Sequence, residues 1–329
     1  MLGGLLALLA AAAFAFNNAS FRRGALTGSV VQAMAVTVPI GVPIFFVVTA
    51  LFGYLGTLER FSPRAILWLS LAGIVHFVWG RYCNYRAIRA IGVNLVTPVQ
   101  QISLVITLAL AIGLLGEALT PLQLVGIALV FVGPALTAER SDPRPAADPP
   151  EVASPGAFKP RYAEGYLFAV LSSTGYGTSP ILIRAGLDQI GAGGSLAGGL
   201  ISYIAATAAI APFLLMPGQL SHVLRLEREP AKWFTLSGVV VCLSQMFYFM
   251  SLALAPVSVV SPIMRLAIVF RVYFSWLLTP HHEVFGGRVL LATVVSLAGA
   301  LALTVSTETV LLHVPLPDAV IEVARWRWP

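Results

Sequence analysis

Charge is scarce in this chain. Only 10% of its 329 residues are Asp, Glu, Lys or Arg, where a soluble domain carries roughly a quarter. Hydrophobic residues make up 58%, so apolar surface must face lipid. Acidic residues are the scarcer sign, 14 against 20 Lys+Arg, and nearly all the cations are arginine. The net charge of +6 lacks the clustered basic face with interleaved aromatics that a nucleic-acid partner needs, so it reads as loop charge that orients a membrane protein. Cys83 and Cys242 each lie alone in an apolar segment, without the near partner of a zinc site or redox pair. Soluble-enzyme motifs are missing too. Residues 191–196 begin like a dinucleotide loop but lack its final glycine and a preceding strand, and His281-His282-Glu283 has the wrong spacing for a zinc protease. Neither a metal nor a cofactor is expected. Intramembrane carboxylates are nearly absent, since Glu117 and Glu283 fall at turns, so a proton relay built on Asp or Glu has no evident residue.

What the chain does have is long apolar runs. They lie at about 2–19, 28–56, 65–89, 93–115, 121–138, 162–184, 194–216, 232–254, 256–278 and 287–307. Each is long enough to cross a bilayer as a helix of roughly 17 to 25 residues. The first run resembles a secretory signal, but no Lys or Arg precedes Arg22, so a retained helix is expected. Between the fifth and sixth runs, residues 139–161 carry six prolines and mixed charges, the composition of a hydrophilic linker. Residues 308–329 read as a C-terminal tail.

The two sides of the linker repeat each other. The stretch from Asn18 to Leu26 aligns with Ser179 to Leu187, pairing Arg23 with Arg184, and Val93–Val99 aligns with Val257–Ile263, pairing Pro98 with Pro262. Glu117 with Gly133 matches Glu283 with Gly299 at the same spacing. Five crossings per repeat leave the second repeat starting on the opposite side of the membrane, so the repeats must be inverted. The expected fold is therefore an all-α membrane protein with ten transmembrane helices as two inverted five-helix repeats, at 1–138 and 162–307.

Each half shows an early helix closing on an arginine (Arg23, Arg184), a proline in the fourth helix (Pro98, Pro262), a turn reading Glu117 to Gln123, and a glycine-bearing fifth helix (Gly126, Gly133). In this order the chain resembles the EamA domain of the drug/metabolite transporter superfamily, over almost its whole length. The second half departs at Pro280–Glu283, where the first has Leu115-Gly116-Glu117. The resemblance implies a ten-helix inverted-repeat carrier with its substrate path between the halves, in the cell membrane, here the bacterial inner membrane. It also implies that both termini are cytoplasmic. Counting loop Lys and Arg opposes that orientation, because Arg22, Arg23, Arg89, Arg161, Arg225, Arg228 and Lys232 would then fall on the outer side.

Ionisable groups inside apolar runs are the first candidates for function, because burying them in lipid costs several kcal/mol unless a cavity or partner receives them. Arg265 and Arg271 lie deepest. Six residues apart, they differ by about 120° around a helix and cannot both point into one narrow cavity. Arg81 and Arg86 differ by about 140°, so only one of them faces a common path. Arginine can take a carboxylate or phosphate bidentately, which points to an anionic or zwitterionic substrate. Pro98 and Pro262 each remove a backbone donor, and Gln100, Gln101 and Arg265 follow within a turn, making this region the leading candidate site. Tyr85, Asn18 and Tyr176 complete the candidate set as polar residues near the path. His76 is expected to be a hydrogen-bonded packing residue, with proton shuttling as the other reading. The small-residue stripes Gly126/Gly133 and Ala292/Gly299 read as packing seams. The partners expected are a small-molecule substrate and the bilayer, with the coupling ion and oligomeric state left open. A membrane-embedded enzyme or assembly subunit acting on lipid-linked substrates, and a channel, are the alternatives. An enzyme would need a His, Asp or Glu cluster at one membrane face, and a channel would need polar stripes.

Overall fold

The computed structural model describes residues 1–100, 102–138, 161–188, 190, 192–267, 269–270 and 317–328, with scattered positions between 273 and 302. Arg271, Gln101, Glu283 and the linker at 139–160 lie outside the described residues. Helix α1 (Leu2–Gly24) comes first, and Ser29 then opens α2 (Val30–Thr37) with a capping box shared with Gln32. Pro39 has no amide to donate, so the second apolar run resumes as a separate helix, α3 (Gly41–Leu51). Ser62 caps α4 (Pro63–Gly73) through the Ala65 amide, with proline at the first helical position. A π-helical stretch, Ile74–Gly80, leads into α5 (Arg81–Gln100), followed by α6 (Ile102–Leu115). The turn at Glu117 to Gln123 ends in a second capping box, in which Thr120 and Gln123 exchange side-chain and amide bonds to start α7 (Pro121–Ala138).

The second half contributes α8 (Tyr162–Leu187), α9 (Ser195–Leu214), the short α10 (Gln219–Leu224), α11 (Arg228–Leu254) and α12 (Val257–Met264). An amphipathic C-terminal helix, α13 (Asp318–Arg325), follows. Among the described residues, five helical segments are long and apolar enough to cross a membrane: Leu2–Gly24, Val30–Leu51, Pro63–Ile91, Ser195–Leu214 and Arg228–Leu254. The described residues are overwhelmingly helical, with one isolated bridge between Leu119 and Trp328.

Contacts sort the helix ends into two sets. At one end Gly3 meets Ala255, Gly193 meets Tyr54, Glu117 meets Val257, and Leu119 meets Trp328. At the other Gly24 packs on Phe234, the Arg161 amide donates to the Ala90 carbonyl, and Ser29 bonds His222. Within the stretch from Ala90 to Val99 the path doubles back. Trp79 and Ala90 lie against Leu171 and Arg161, whereas Val99 and Thr107 lie against Ser173 and Gly177. The third and fourth apolar runs thus pass along α8 in opposite directions.

Glu117 joins the halves directly. One of its carboxylate oxygens accepts the Val257 amide at 2.9 Å and the other accepts the Ser258 amide at 2.8 Å, capping α12 from a residue on the far side of the linker. These amides are otherwise unpaired at a helix start, where a negative charge is also favoured. Glu117→Ala is expected to lower stability by about 1–2 kcal/mol, measured as a fall in Tm of the detergent-solubilised protein, with Glu117→Gln losing less.

Candidate functional site

The π-helical stretch offsets the helical register, and it does so where the polar residues gather. His76, Phe77 and Gly80 from this stretch are buried, and Arg81 opens the helix that follows. Gly80 lies under the Tyr176 ring of α8, where an added Cβ would come within 2.9 Å of ring carbons and force the ring or the crossing to shift.

Arg81 is 3% exposed. Its Nη1 donates to the Thr37 carbonyl at 3.0 Å, its Nη2 reaches the Tyr203 hydroxyl at 3.4 Å, and the guanidinium lies over the Phe77 ring at 5.1 Å. All three partners are neutral. Among the described residues the ion pairs are Arg86–Glu164, Arg161–Glu164 and Lys232–Glu229, so no carboxylate approaches Arg81. A guanidinium has five donors, and these contacts engage two of them. A buried cation held without a counter-charge is costly by several kcal/mol, and an incoming anion removes that cost.

The other sequence candidates fall around this centre in part. Tyr85 stacks on Phe21 with ring centroids 3.6 Å apart and its hydroxyl unpaired, and Asn18 donates to the Phe14 carbonyl while its buried Oδ1 has no partner. Tyr176 packs edge-on against Phe14 and contacts His76 at 4.9 Å between ring centroids. Gln100 donates to Asn84 at 2.6 Å. Arg265 follows α12, which stops at Met264 two residues after Pro262, and donates to the Gln100 carbonyl at 3.3 Å and Ser103 at 2.9 Å, leaving Nε buried and unpaired. Pro98 falls within α5, its side chain outside the described residues. Arg86 is held away from the centre, paired with Glu164, which also pairs with Arg161 at 3.0 Å. This triad ties α5 to α8 at the end where Arg161 lies.

Sequence reading missed Tyr203 and Gln245. Both are buried polar groups within apolar runs, as is Ser179, and that contrast was the available signal. Ser179 and Gln245 both bond the His76 ring. At the opposite end from the triad, a cavity of about 520 Å³ opens between the halves, lined by Arg60, Arg64, Trp68, Glu117, Arg184 and Asp188 among others.

The sequence match decides the lineage of this arrangement: the EamA-like transporter family matches residues 1–138 and 163–305. The chain belongs to that family. Membership makes it a multi-pass membrane protein of a drug/metabolite transporter type. A protein of known crystal structure overlays with a TM-score of 0.65 at 17% identity, covering 92% of this chain and 95% of that one, which shows a shared fold. None of the curated proteins matches the chain.

Proposed function

We propose that this EamA-family protein is a secondary carrier of a small anionic or zwitterionic metabolite, moving it by alternating access between two inverted five-helix repeats. The observation that carries the substrate class is Arg81, a buried cation whose contacts among the described residues are all neutral. Such a group is complementary to a carboxylate or phosphate that arrives and leaves. Unpaired polar atoms on Asn18, Tyr85 and Arg265 supply further acceptors and donors for a polar solute.

Helix directions support the ten-helix inverted architecture. α1 and α8 run opposite ways between the two ends, as do the α2–α3 pair and α9, the crossing from Pro63 to Ile91 and α11, and α6 and α12. These are the pairings expected of five-helix repeats related by an axis in the membrane plane. The open cavity at one end and the Arg86–Glu164–Arg161 closure at the other are consistent with one of the two access states.

Uptake by proteoliposomes tests the reading, with labelled lactate, succinate, serine, glutamate, glucose and glucose 6-phosphate as the panel. The expected result is movement of an anion or zwitterion and none of glucose. Failure of every solute to move, under any imposed ion gradient, would overturn it. With both termini cytoplasmic, as in the orientation adopted from the family, the cavity faces the cytoplasm. Epitope tags at either end of the chain should then be shielded from label added to intact cells, and labelling from outside would reverse that orientation.

A further inference from the structure

His76 sits between the halves in a setting that serves two protonation states. Its Nδ1 lies 2.7 Å from Ser179 Oγ on α8, and its Nε2 lies 3.2 Å from the side-chain nitrogen of Gln245 on α11. The amide nitrogen is a donor only, so Nε2 accepts and Nδ1 carries the hydrogen that it donates to Ser179. Gln245 is 1% exposed, and with its nitrogen committed its Oε1 is left buried with no partner. An orphaned buried acceptor costs about 1–3 kcal/mol. Rotating the amide by half a turn brings Oε1 to face His76, an arrangement satisfied when Nε2 carries a hydrogen, either in the other neutral tautomer, with Nδ1 accepting from the Ser179 hydroxyl, or in the imidazolium. The imidazolium then donates at both nitrogens, to Ser179 and to Gln245, with the ring unmoved.

The groups facing this pair are few. Arg81 follows on the same stretch of chain, α8 presents Tyr176, and α11 presents Tyr248, with Tyr203 of α9 and Cys242 of α11 beyond Phe77 and Arg81. No carboxylate faces it among the described residues. Protonated His76 therefore adds a second positive charge beside Arg81, with nothing local to balance it, and an anion bound at Arg81 does balance it. By linkage, whatever favours the anion when the proton is present favours the proton equally when the anion is present.

We propose that His76 and Gln245 form the coupling-ion site, and that one proton taken from water onto His76 Nε2 travels with each anionic or zwitterionic solute bound at Arg81. This rests on the carrier reading above. The proton enters as the solute enters, Gln245 rotates to accept from it, and both leave together on the other side, so no oxidant or further reactant is involved. The π-helical stretch that carries His76 in the first half, and the two partner helices in the second, make the pair sensitive to how the halves sit against each other.

The test uses the intact protein in proteoliposomes loaded with the pH dye pyranine, with whichever solute of the panel above moves. One-to-one coupling predicts about tenfold accumulation per unit of inward-directed pH gradient, together with interior acidification that requires the solute. His76→Gln should lose gradient-driven accumulation while keeping measurable, slowed solute exchange. Gln245→Met, which removes the acceptor but retains the bulk, should shift the pH profile of uptake towards lower pH. If wild-type vesicles exchange the solute but neither accumulate it under a pH gradient nor acidify, the proton site is wrong and the carrier reading stands. If no solute exchanges at all, both fail.

Discussion

Arg81→Gln is expected to lower transport of the anionic substrate on the order of a hundredfold, with the loss carried by kcat/KM. Removing one charge-assisted hydrogen-bonded pair from a water-poor site costs about 3 kcal/mol, and each 1.4 kcal/mol is a factor of ten. Arg81→Lys keeps the charge but loses the planar fork and its contact with Phe77, so it should retain about a tenth of the activity. Stability separates this from a structural role. Arg81 has neutral partners, Thr37, Tyr203 and Phe77, so taking its charge away relieves desolvation. The Tm of Arg81→Gln should therefore equal or exceed that of the wild type. A large fall in Tm with proportional loss of activity would make Arg81 a structural residue.

The second large effect falls on folding. A Cβ built on Gly73 of α4 comes within 2.0 Å of the Ser202 carbonyl oxygen on α9, and that oxygen belongs to the helical backbone and cannot swing aside. The crossing is also fastened, since Ser202 Oγ donates to the Leu69 carbonyl at 2.8 Å. In lipid, helix pairs associate through close packing and such bonds, because the surrounding tails are as apolar as the side chains. Gly73→Ala must push the helices apart along this seam and is expected to cost roughly 3 kcal/mol, the upper part of the range for overpacking. Ser202→Ala removes one hydrogen bond and should cost about 1 kcal/mol. Size-exclusion profiles and thermal melts of the detergent-extracted variants measure both. A Gly73→Ala protein as stable as the wild type would contradict the observed approach.

What the sequence disclosed followed the distance over which each determinant acts. Apolar runs are set by local hydropathy, so the crossings through Leu2–Gly24 and Arg228–Leu254 were legible directly. Pro39 breaks the second run by local chemistry too, although the run was read as continuous. The angular argument separating Arg81 from Arg86 needed only helix geometry, and the two do face different surroundings. The partners were not legible. His76 is 103 residues from Ser179 and 169 from Gln245, and no local pattern announces a pairing across two repeats. The π-helical stretch that offsets the register at His76 has no signature in composition either. Glu117 was placed at a turn correctly, but its bond to α12 depends on how the second half docks. Arg271 and Gln101, expected near the path, lie outside the described residues.

Counterflow tests the carrier claim most directly. Proteoliposomes loaded with unlabelled solute and diluted into a trace of the labelled form should take up label transiently above its equilibrium level, because a site that faces one side at a time returns loaded. Arg81→Gln should flatten that overshoot. Simple equilibration of the label without overshoot, at the same rate in both proteins, would mean a pore or no pathway through this site, and would contradict the account.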